Sequence, residues 1–286
     1  MNRIVSEIFL HTCVVFCLGM ALPLSAQQQL TILYTNDSHS RIEPVEAHSA
    51  DKRSAGKGGF VRRATYIAQA RAEDPDLLLF DSGDFSQGTP YYNLFRGDVE
   101  VKLMNAMKYD AVTIGNHEFD FGMDNLARLY RLAEFPIVCS NYEVTGTVLE
   151  GLVKPYLILE RRGVKIGVLG LGVKLKGLVA DENCEGVIYK DPVAVSNEIA
   201  DFLKNQEKCD IVICLSHLGY RSSTYYPDSD QVLAQQSRNI DMILGGHSHT
   251  YLEEPEFYTN AEGKEVLVTQ MGKNSIYVGR LDVTIP

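Results

Sequence analysis

Ala111-Val112-Thr113-Ile114-Gly115-Asn116-His117-Glu118-Phe119-Asp120 is the stretch from which the rest of the chain can be read. A short β-prone run, Ala111–Ile114, passes through one glycine into a cluster of amide, imidazole and carboxylate side chains. In an α/β protein, sites lie just outside the carboxyl ends of the strands, so this is the form of a strand that ends in a functional loop. The same form recurs. Leu30–Tyr34 runs into Asn36-Asp37-Ser38-His39, Leu77–Phe80 into Ser82-Gly83-Asp84, Ile211–Leu215 into Ser216-His217, and Asp241–Leu244 into Gly245-Gly246-His247-Ser248-His249. Five of the seven histidines fall in these motifs. Scattered core or surface histidines would not be distributed in this way, so five strand ends are expected to converge on one polar site.

Helical patterns separate the strand-like runs. Phe60–Ala72 reads as an amphipathic helix with Phe60, Ala64, Ile67 and Ala68 on its apolar face and Arg62 and Arg63 on its surface. Val99–Met107, Met123–Glu134 and Val193–Asn205 read as further helices. Tyr156–Leu159 and Val164–Leu171 form a hairpin about Arg162-Gly163, and Pro136–Cys139 is another strand. The carboxyl-terminal part is strand-rich, over Glu256–Thr259, Val266–Gln270 and Ser275–Val283. Strands alternating with helices predict parallel pairing with crossover connections, and their number exceeds one short sheet. The expected fold is α/β, with two packed sheets flanked by helices.

Residues 1–26 read as a secretory signal peptide. Arg3 lies in the amino-terminal region, Cys13–Leu24 is a run of twelve apolar or small residues, and Ser25-Ala26 offers a cleavage point. A bilayer span needs roughly 20 apolar residues. The expectation is therefore an exported protein, periplasmic or secreted, with residues 27–286 as one catalytic domain and no membrane span. The formal charge of −10, without a Lys/Arg run, makes the chain a poor candidate for binding nucleic-acid polymers or anionic membranes. Cys139, Cys184, Cys209 and Cys214 show no CxxC pairing and are expected as free thiols, with Cys184 the most exposed. His48 lies in the polar Glu43–Gly59 connection and is expected in solvent.

The motif residues carry a definite chemistry. Asp37 and His39 are spaced i, i+2 at a strand end, which places both side chains on one side of an extended chain, where they can grip one divalent ion. His247 and His249 repeat that spacing after two glycines. Adding Asp84, Asn116 and His217 makes seven oxygen or imidazole donors and no sulfur. That exceeds a mononuclear zinc site and suits two metal ions about 3.5–4 Å apart. Two such ions generate a hydroxide from a bridging water and clamp the oxygens of an in-line phosphoryl displacement. His117, next to a proposed ligand, is assigned to the substrate, with Asp120 accepting its other ring N–H and fixing the tautomer. Glu118 and Phe119 are expected to point away. Tyr91-Tyr92 and Tyr225-Tyr226 border the site as base-stacking candidates or as ordinary packing.

These ordered motifs, Asn-Asp-x-His, Gly-Asp, Gly-Asn-His-Glu-Phe-Asp, Ser-His and Gly-Gly-His-Ser-His, resemble the calcineurin-like metallophosphoesterase superfamily. The Gly58–Thr65 segment and the complete Gly-Asn-His-Glu-Phe-Asp string resemble its branch of 5′-nucleotidases, UDP-sugar hydrolases and 2′,3′-cyclic phosphodiesterases. The resemblance covers nearly all of residues 29–285. It implies a four-layer α/β/β/α sandwich of two mixed sheets, the metallophosphoesterase fold. It implies one divalent ion held by Asp37, His39, Asp84 and His249, a second held by Asp84, Asn116, His217 and His247, and a His117/Asp120 catalytic dyad. The metals would be Zn, Mn, Fe or Co. The expected function is release of phosphate from nucleotides or related small phosphate esters. Cyclic-phosphodiester, UDP-sugar or sulfur-ester hydrolysis on the same metals is an alternative, and a secreted metal- or ligand-binding module is the non-enzymatic one. Fused relatives carry a second, substrate-binding domain, so a separately encoded domain docking over the site is an expected partner.

Overall fold

A computed structural model describes residues 28–224 and 227–285 of the chain. The expected signal peptide and the Tyr225-Tyr226 pair lie outside the described residues. Fourteen strands and six α-helices are present among those described. One sheet joins β1 (Gln28–Thr35), β2 (Leu78–Asp81), β3 (Ala111–Val112), β4 (Ile137–Val138) and β6 (Val153–Lys154) in parallel, with β14 (Gly279–Ile285) antiparallel on the edge beside β1. The second sheet has β13 (Glu265–Gln270), β11 (Met242–Gly245), β10 (Ile211–Ser216) and β8 (Val164–Leu171) in parallel. β12 (Glu256–Thr259) and β7 (Tyr156–Arg161) are antiparallel edge strands. Two short strands, β5 (Tyr142–Glu143) and β9 (Ile188–Tyr189), pair separately.

Strand alternation divides the buried residues into layers. Ile32, Tyr34, Leu78 and Phe80 from the first sheet meet Ile166, Val168, Ile211, Ile213 and Leu244 from the second in one apolar layer. Their strand neighbours point outward. Leu33, Leu79 and Val112 pack under α1 (Phe60–Glu73), α3 (Asp98–Met107) and α4 (Gly122–Leu132). Val212, Cys214 and Ile243 pack under α5 (Pro192–Asn205) and α6 (Asp230–Gln236). The result is the helix–sheet–sheet–helix sandwich expected from the sequence. The β7–β8 turn uses Arg162 and Gly163 at φ 52° and 75°, both left-handed, as a two-residue hairpin requires. Asp191 caps α5 by accepting the Ala194 N–H at 2.8 Å, ahead of Pro192 in the first turn. No helix among the described residues is long and apolar enough to cross a membrane.

Several local expectations change. The buried face of α1 is Phe60, Arg63, Ile67 and Ala70, not Phe60, Ala64, Ile67 and Ala68. Arg63 is 3 % exposed, because the loop after β1 offers its guanidinium a buried acceptor; Arg62 stays in solvent. The short helices α2 (Pro90–Phe95) and α6 have too few turns to show a periodic signal. β14 starts four residues later than expected, since Asn274 and Ser275 turn the chain at φ 61° and 57°. Cys139, Cys209 and Cys214 are buried free thiols, Cys184 is partly exposed, and His48 is in solvent.

Candidate active site

β1, β2 and β3 are neighbours in one sheet, and β10 and β11 are neighbours in the other. Their carboxyl ends meet at one edge of the sandwich, and all seven metal-ligand candidates and the His117/Asp120 pair follow these five strands. Two groups form there. His39, His249 and Asp37 make the first: the two Nε2 atoms are 2.9 Å apart, and Asp37 Oδ1 is 3.7 Å from that of His39 and 3.4 Å from that of His249. Asp84, His217 and His247 make the second, with His217 Nε2 3.1 Å from Asp84 Oδ2 and the two rings 5.2 Å apart. Within each group the candidate ligand atoms lie inside 4.8 Å of one another.

Asp37 and His39 converge for a reason other than the strand pleat. Both lie beyond the end of β1 with φ of 47° and 48°. Asp84, His247 and His249 also have left-handed backbones, at 56°, 70° and 55°. Such conformations cost of order 1–3 kcal/mol each in non-glycine residues and persist only where the surroundings enforce them. The shared i, i+2 spacing therefore has two outcomes. Asp37 and His39 stay together, whereas His247 and His249 go to different groups.

The residues present fit divalent cations. The donors are carboxylate, amide and imidazole groups, without sulfur. Asn116 Oδ1 is buried with no hydrogen-bond partner among the described residues, as a ligand oxygen would be before an ion is bound. His217 Nδ1 lies 2.6 Å from the Ser82 carbonyl, which can only accept, so Nδ1 carries the proton and Nε2 is left facing Asp84. The Asn36 amide holds Asp37 Oδ2 at 2.6 Å, and the His247 N–H holds the same oxygen at 3.0 Å. Glycines make the approach possible. A Cβ on Gly115 would fall 2.1 Å from Asp84 Oδ1, and one on Gly246 would fall 2.8 Å from the Ser82 carbonyl and 2.9 Å from His217 Nδ1.

The charge balance follows from burial. Burial lowers His39 against the pull of Asp84 and Asp37, and burial together with His217 brings His247 to about 4. Both imidazoles are therefore neutral, the state that binds a cation. Burial would also lower His217, but the adjacent Asp84 carboxylate outweighs it and pushes His217 up to about 10. Asp84 is held well below the usual carboxylate range by His217, His39 and His117, against its own burial. In the protein without an ion, His217 and Asp84 thus neutralise each other.

His117 stands beside the first group, with its ring 5.5 Å from that of His39. Its Nδ1 is 2.8 Å from Asp120 Oδ2, in a single 3₁₀ turn that places residues three apart on one side. Burial opposes protonation of His117, but the Asp120 contact and the Asp84 charge raise it above its ordinary value. The backbone of this turn is held by Asn183, which donates to the Asp120 carbonyl at 3.0 Å, and by Ser86, whose single hydroxyl proton is shared between the His117 carbonyl at 3.2 Å and Glu118 Oε1 at 3.1 Å. Tyr92 is buried, packs 4.7 Å from the Phe121 ring and reaches the His117 carbonyl at 3.4 Å, so it supports the turn as a packing residue.

Glu118 does not point away. It is 1 % exposed and accepts the N–H groups of Gly115 at 2.7 Å, Asp84 at 2.9 Å and Ser86 at 3.2 Å, and the Ser86 hydroxyl at 3.1 Å. One carboxylate therefore ties the loop after β2 to the loop after β3. Burial and Asp84 push it up to about 7, against the pull of His217 and its backbone donors. The signal that could have found it is the series of unpartnered amides in the loop Gly83–Ser86, which needs a buried acceptor.

The chain is similar to known proteins in sequence as well as in fold. The family described as calcineurin-like phosphoesterase matches residues 30–251. The human 5′-nucleotidase is 32 % identical over 286 aligned residues, covering 93 % of this chain and 48 % of its own. The 5′-nucleotidase of Diplobatis ommata is 34 % identical over 251 residues, covering 86 % and 41 %. The crystal structure of a 5′-nucleotidase precursor from Thermus thermophilus superposes with a TM-score of 0.80 at 31 % identity, over 91 % of this chain and 52 % of that one. The NAD nucleotidase of Haemophilus influenzae superposes with a TM-score of 0.78 at 28 % identity, over 91 % and 53 %. The chain spans about half the length of the curated relatives it matches. With the family matched over most of its length, this chain belongs to the calcineurin-like phosphoesterases.

Proposed function

We propose that this chain is an exported, metal-dependent phosphohydrolase that releases phosphate from nucleotides or related small phosphate esters. The observation that carries the proposal is the His117–Asp120 pair set beside two adjacent three-residue groups of cation donors. Asp37, His39, Asp84 and His249 would hold one divalent ion, and Asp84, Asn116, His217 and His247 a second. When bound, such ions supply an activated water and a charge clamp on the phosphoryl oxygens. The protein supplies the remainder. His117, protonated at Nε2 and held through Nδ1 by Asp120, donates to the phosphoryl group and to the departing ester oxygen. The left-handed backbones of Asp37, His39 and Asp84 fix the donors before substrate arrives, which removes reorganisation from the reaction itself. Nucleotides are proposed as substrates because the human and Diplobatis relatives are 5′-nucleotidases.

The test is hydrolysis of p-nitrophenyl phosphate, 5′-AMP, 2′,3′-cyclic AMP and a UDP-sugar by purified protein with added Mn, Zn, Co or Fe. The expected result is metal-dependent phosphate release that falls about 10²–10⁴-fold in His117→Ala while bound metal is retained. No turnover of any ester with any metal overturns the proposal, as does a His117→Ala rate equal to that of the parent.

A further inference from the structure

Arg63 is a buried cation with a poor hydrogen-bond yield. It is 3 % exposed, with its guanidinium 4.8 Å above the Phe60 ring, yet Nε and Nη2 find no acceptor among the described residues. Burying a charge costs several kcal/mol unless its partners compensate, so local stability does not account for its position. What Arg63 does make is one short bond: Nη1 donates to Ser38 Oγ at 2.7 Å. Ser38 is fully buried and lies between Asp37 and His39.

The same nitrogen begins a chain of buried hydroxyls. Arg63 Nη1 faces Tyr109 Oη at 3.5 Å, Tyr109 Oη lies 3.0 Å from Thr35 Oγ1, and Thr35 donates to Asp81 Oδ2 at 2.6 Å. Thr35 has one proton and gives it to the carboxylate, so Tyr109 donates to Thr35 and presents its oxygen to Arg63. Every proton in the chain points from the cation to Asp81. Asp81 Oδ1 then accepts the Gly83 N–H at 3.0 Å, just before Asp84. The direct contact is with the Asp37–His39 turn; the Asp84 loop is reached through two relayed hydroxyls and through the turn's backbone, whose Asp37 and His39 N–H groups donate to the Gly83 and Asp84 carbonyls at 2.9 and 3.0 Å.

Elsewhere the turn is held at its backbone and at the Asp37 carboxylate, which accepts from the Asn36 amide at 2.6 Å and from the His247 N–H at 3.0 Å. Asn274 N–H donates to the Asp37 carbonyl at 2.8 Å, and the Ser275 hydroxyl reaches the Ser38 carbonyl at 3.5 Å. Neither of these last two contacts grips a side chain of the turn. The Ser38 hydroxyl is the one side-chain handle between two ligand candidates with left-handed backbones, and Arg63 holds it.

We propose that Arg63 is a positioning residue that acts through Ser38 to set the Asp37–His39 turn, and so tightens the ion to be held by Asp37, His39, His249 and the shared Asp84 in preference to the ion to be held by Asp84, Asn116, His217 and His247. This rests on the metal-binding reading above. It also has a sign. Acting through its charge alone, a cation beneath a cation site weakens ion binding, and deleting it would tighten both sites. Acting through geometry, its deletion loosens one.

The experiment uses the full chain stripped of metal, then equilibrated with buffered Zn²⁺ or Mn²⁺. Bound metal is counted by mass spectrometry and affinities are measured by calorimetry for the parent, Arg63→Met, Arg63→Lys, Ser38→Ala and the Arg63→Met/Ser38→Ala double variant, with metal-free thermal melts alongside. The expected result is two ions in the parent. One ion should be weakened at least ten-fold in Arg63→Met and in Ser38→Ala, with the other unchanged, a double variant no worse than Arg63→Met, and partial recovery in Arg63→Lys. Equal weakening of both ions, tighter binding, or parent-like binding by Ser38→Ala overturns the inference and leaves the metal reading standing. Should Arg63→Met fold poorly, Ser38→Ala removes a single hydroxyl and decides alone. A parent that binds no divalent ion overturns both.

Discussion

His217 and Ser82 are joined across the two sheets by a 2.6 Å bond from the imidazole Nδ1 to a backbone carbonyl. Because a carbonyl only accepts, this bond assigns the tautomer and aims Nε2 at Asp84, 3.1 Å away. His217→Ala removes both the aimed nitrogen and the partner that keeps a fully buried Asp84 neutralised. Loss of such partners alone lowers metal affinity 10–100-fold, and loss of the ligand should exceed this. The expected outcome is at least a ~100-fold weaker second ion, read by titration calorimetry, with one ion retained. Parent-like binding of two ions by His217→Ala would remove it from the ligand set.

Gly115→Ala separates steric from conformational demands. Fifteen glycines among the described residues have left-handed φ, but Gly115 is not one of them, so alanine suits its backbone. The obstacle is Asp84: an added Cβ would fall 2.1 Å from Oδ1 and 2.5 Å from its backbone nitrogen. One of the two must move, and both are fixed by Glu118 and His117. Destabilisation of roughly 2–4 kcal/mol is expected in urea unfolding, together with weaker binding of both ions, since Asp84 is proposed to touch each. Gly177→Ala, where nothing lies within 4 Å, should show only the ~1 kcal/mol of a left-handed backbone.

The layers and the converging loops were legible because they rest on periodicity and on residue type. Leu78, Leu79 and Phe80 alternate between two cores as a buried strand must, and five polar motifs follow five apolar runs. What escaped the sequence depends on partners far apart in the chain. Arg63 looks like a surface residue because a helix is read by its apolar positions, and its acceptor, Ser38, belongs to another loop. Glu118 looks like a neighbour of the chemistry, but its position is set by unpaired amides at 84 and 86, which lie 34 and 32 residues away. The i, i+2 spacing placed Asp37 and His39 together for the wrong reason. It also failed to foresee that His247 and His249 diverge, since left-handed turns are invisible in residue types other than glycine.

Glu118→Ala should be among the most damaging single changes away from the proposed ligands. It leaves the buried amides of Asp84, Gly115 and Ser86 without their acceptor. At about 1–3 kcal/mol for each unsatisfied buried donor, discounted for relaxation, the loss is roughly 3–5 kcal/mol in urea unfolding of the metal-free protein. Glu118→Gln keeps one acceptor but turns an NH₂ toward backbone donors, so it should recover less than half of the loss. A Glu118→Gln variant as stable as the parent would show that the second carboxylate oxygen is dispensable.

Asp230 sets a slope in the dependence of stability on pH. Its carboxyl is fully buried at the start of α6, with Oδ1 accepting the Ser216 hydroxyl at 2.5 Å and Oδ2 unpartnered among the described residues. Burial raises it to about 8, helped by the charge of Asp37 and opposed by Ser216 and His217. In the unfolded chain an aspartate titrates near 4, at about 3.9. Between these values the folded protein keeps a proton that the unfolded chain has lost. The contribution is therefore complete below about pH 4, declines by roughly 1.4 kcal/mol for each pH step of about one as pH rises, and is gone above about 8. Asp230→Asn keeps the shape and the acceptor for Ser216 but cannot titrate. Comparing metal-free parent and variant at about pH 5 and about pH 8, the difference in unfolding free energy should move in favour of the variant by roughly 2 kcal/mol or more. Parallel stability curves for the two proteins would mean that Asp230 is ionised in the fold at both pH values, with its charge met by His217.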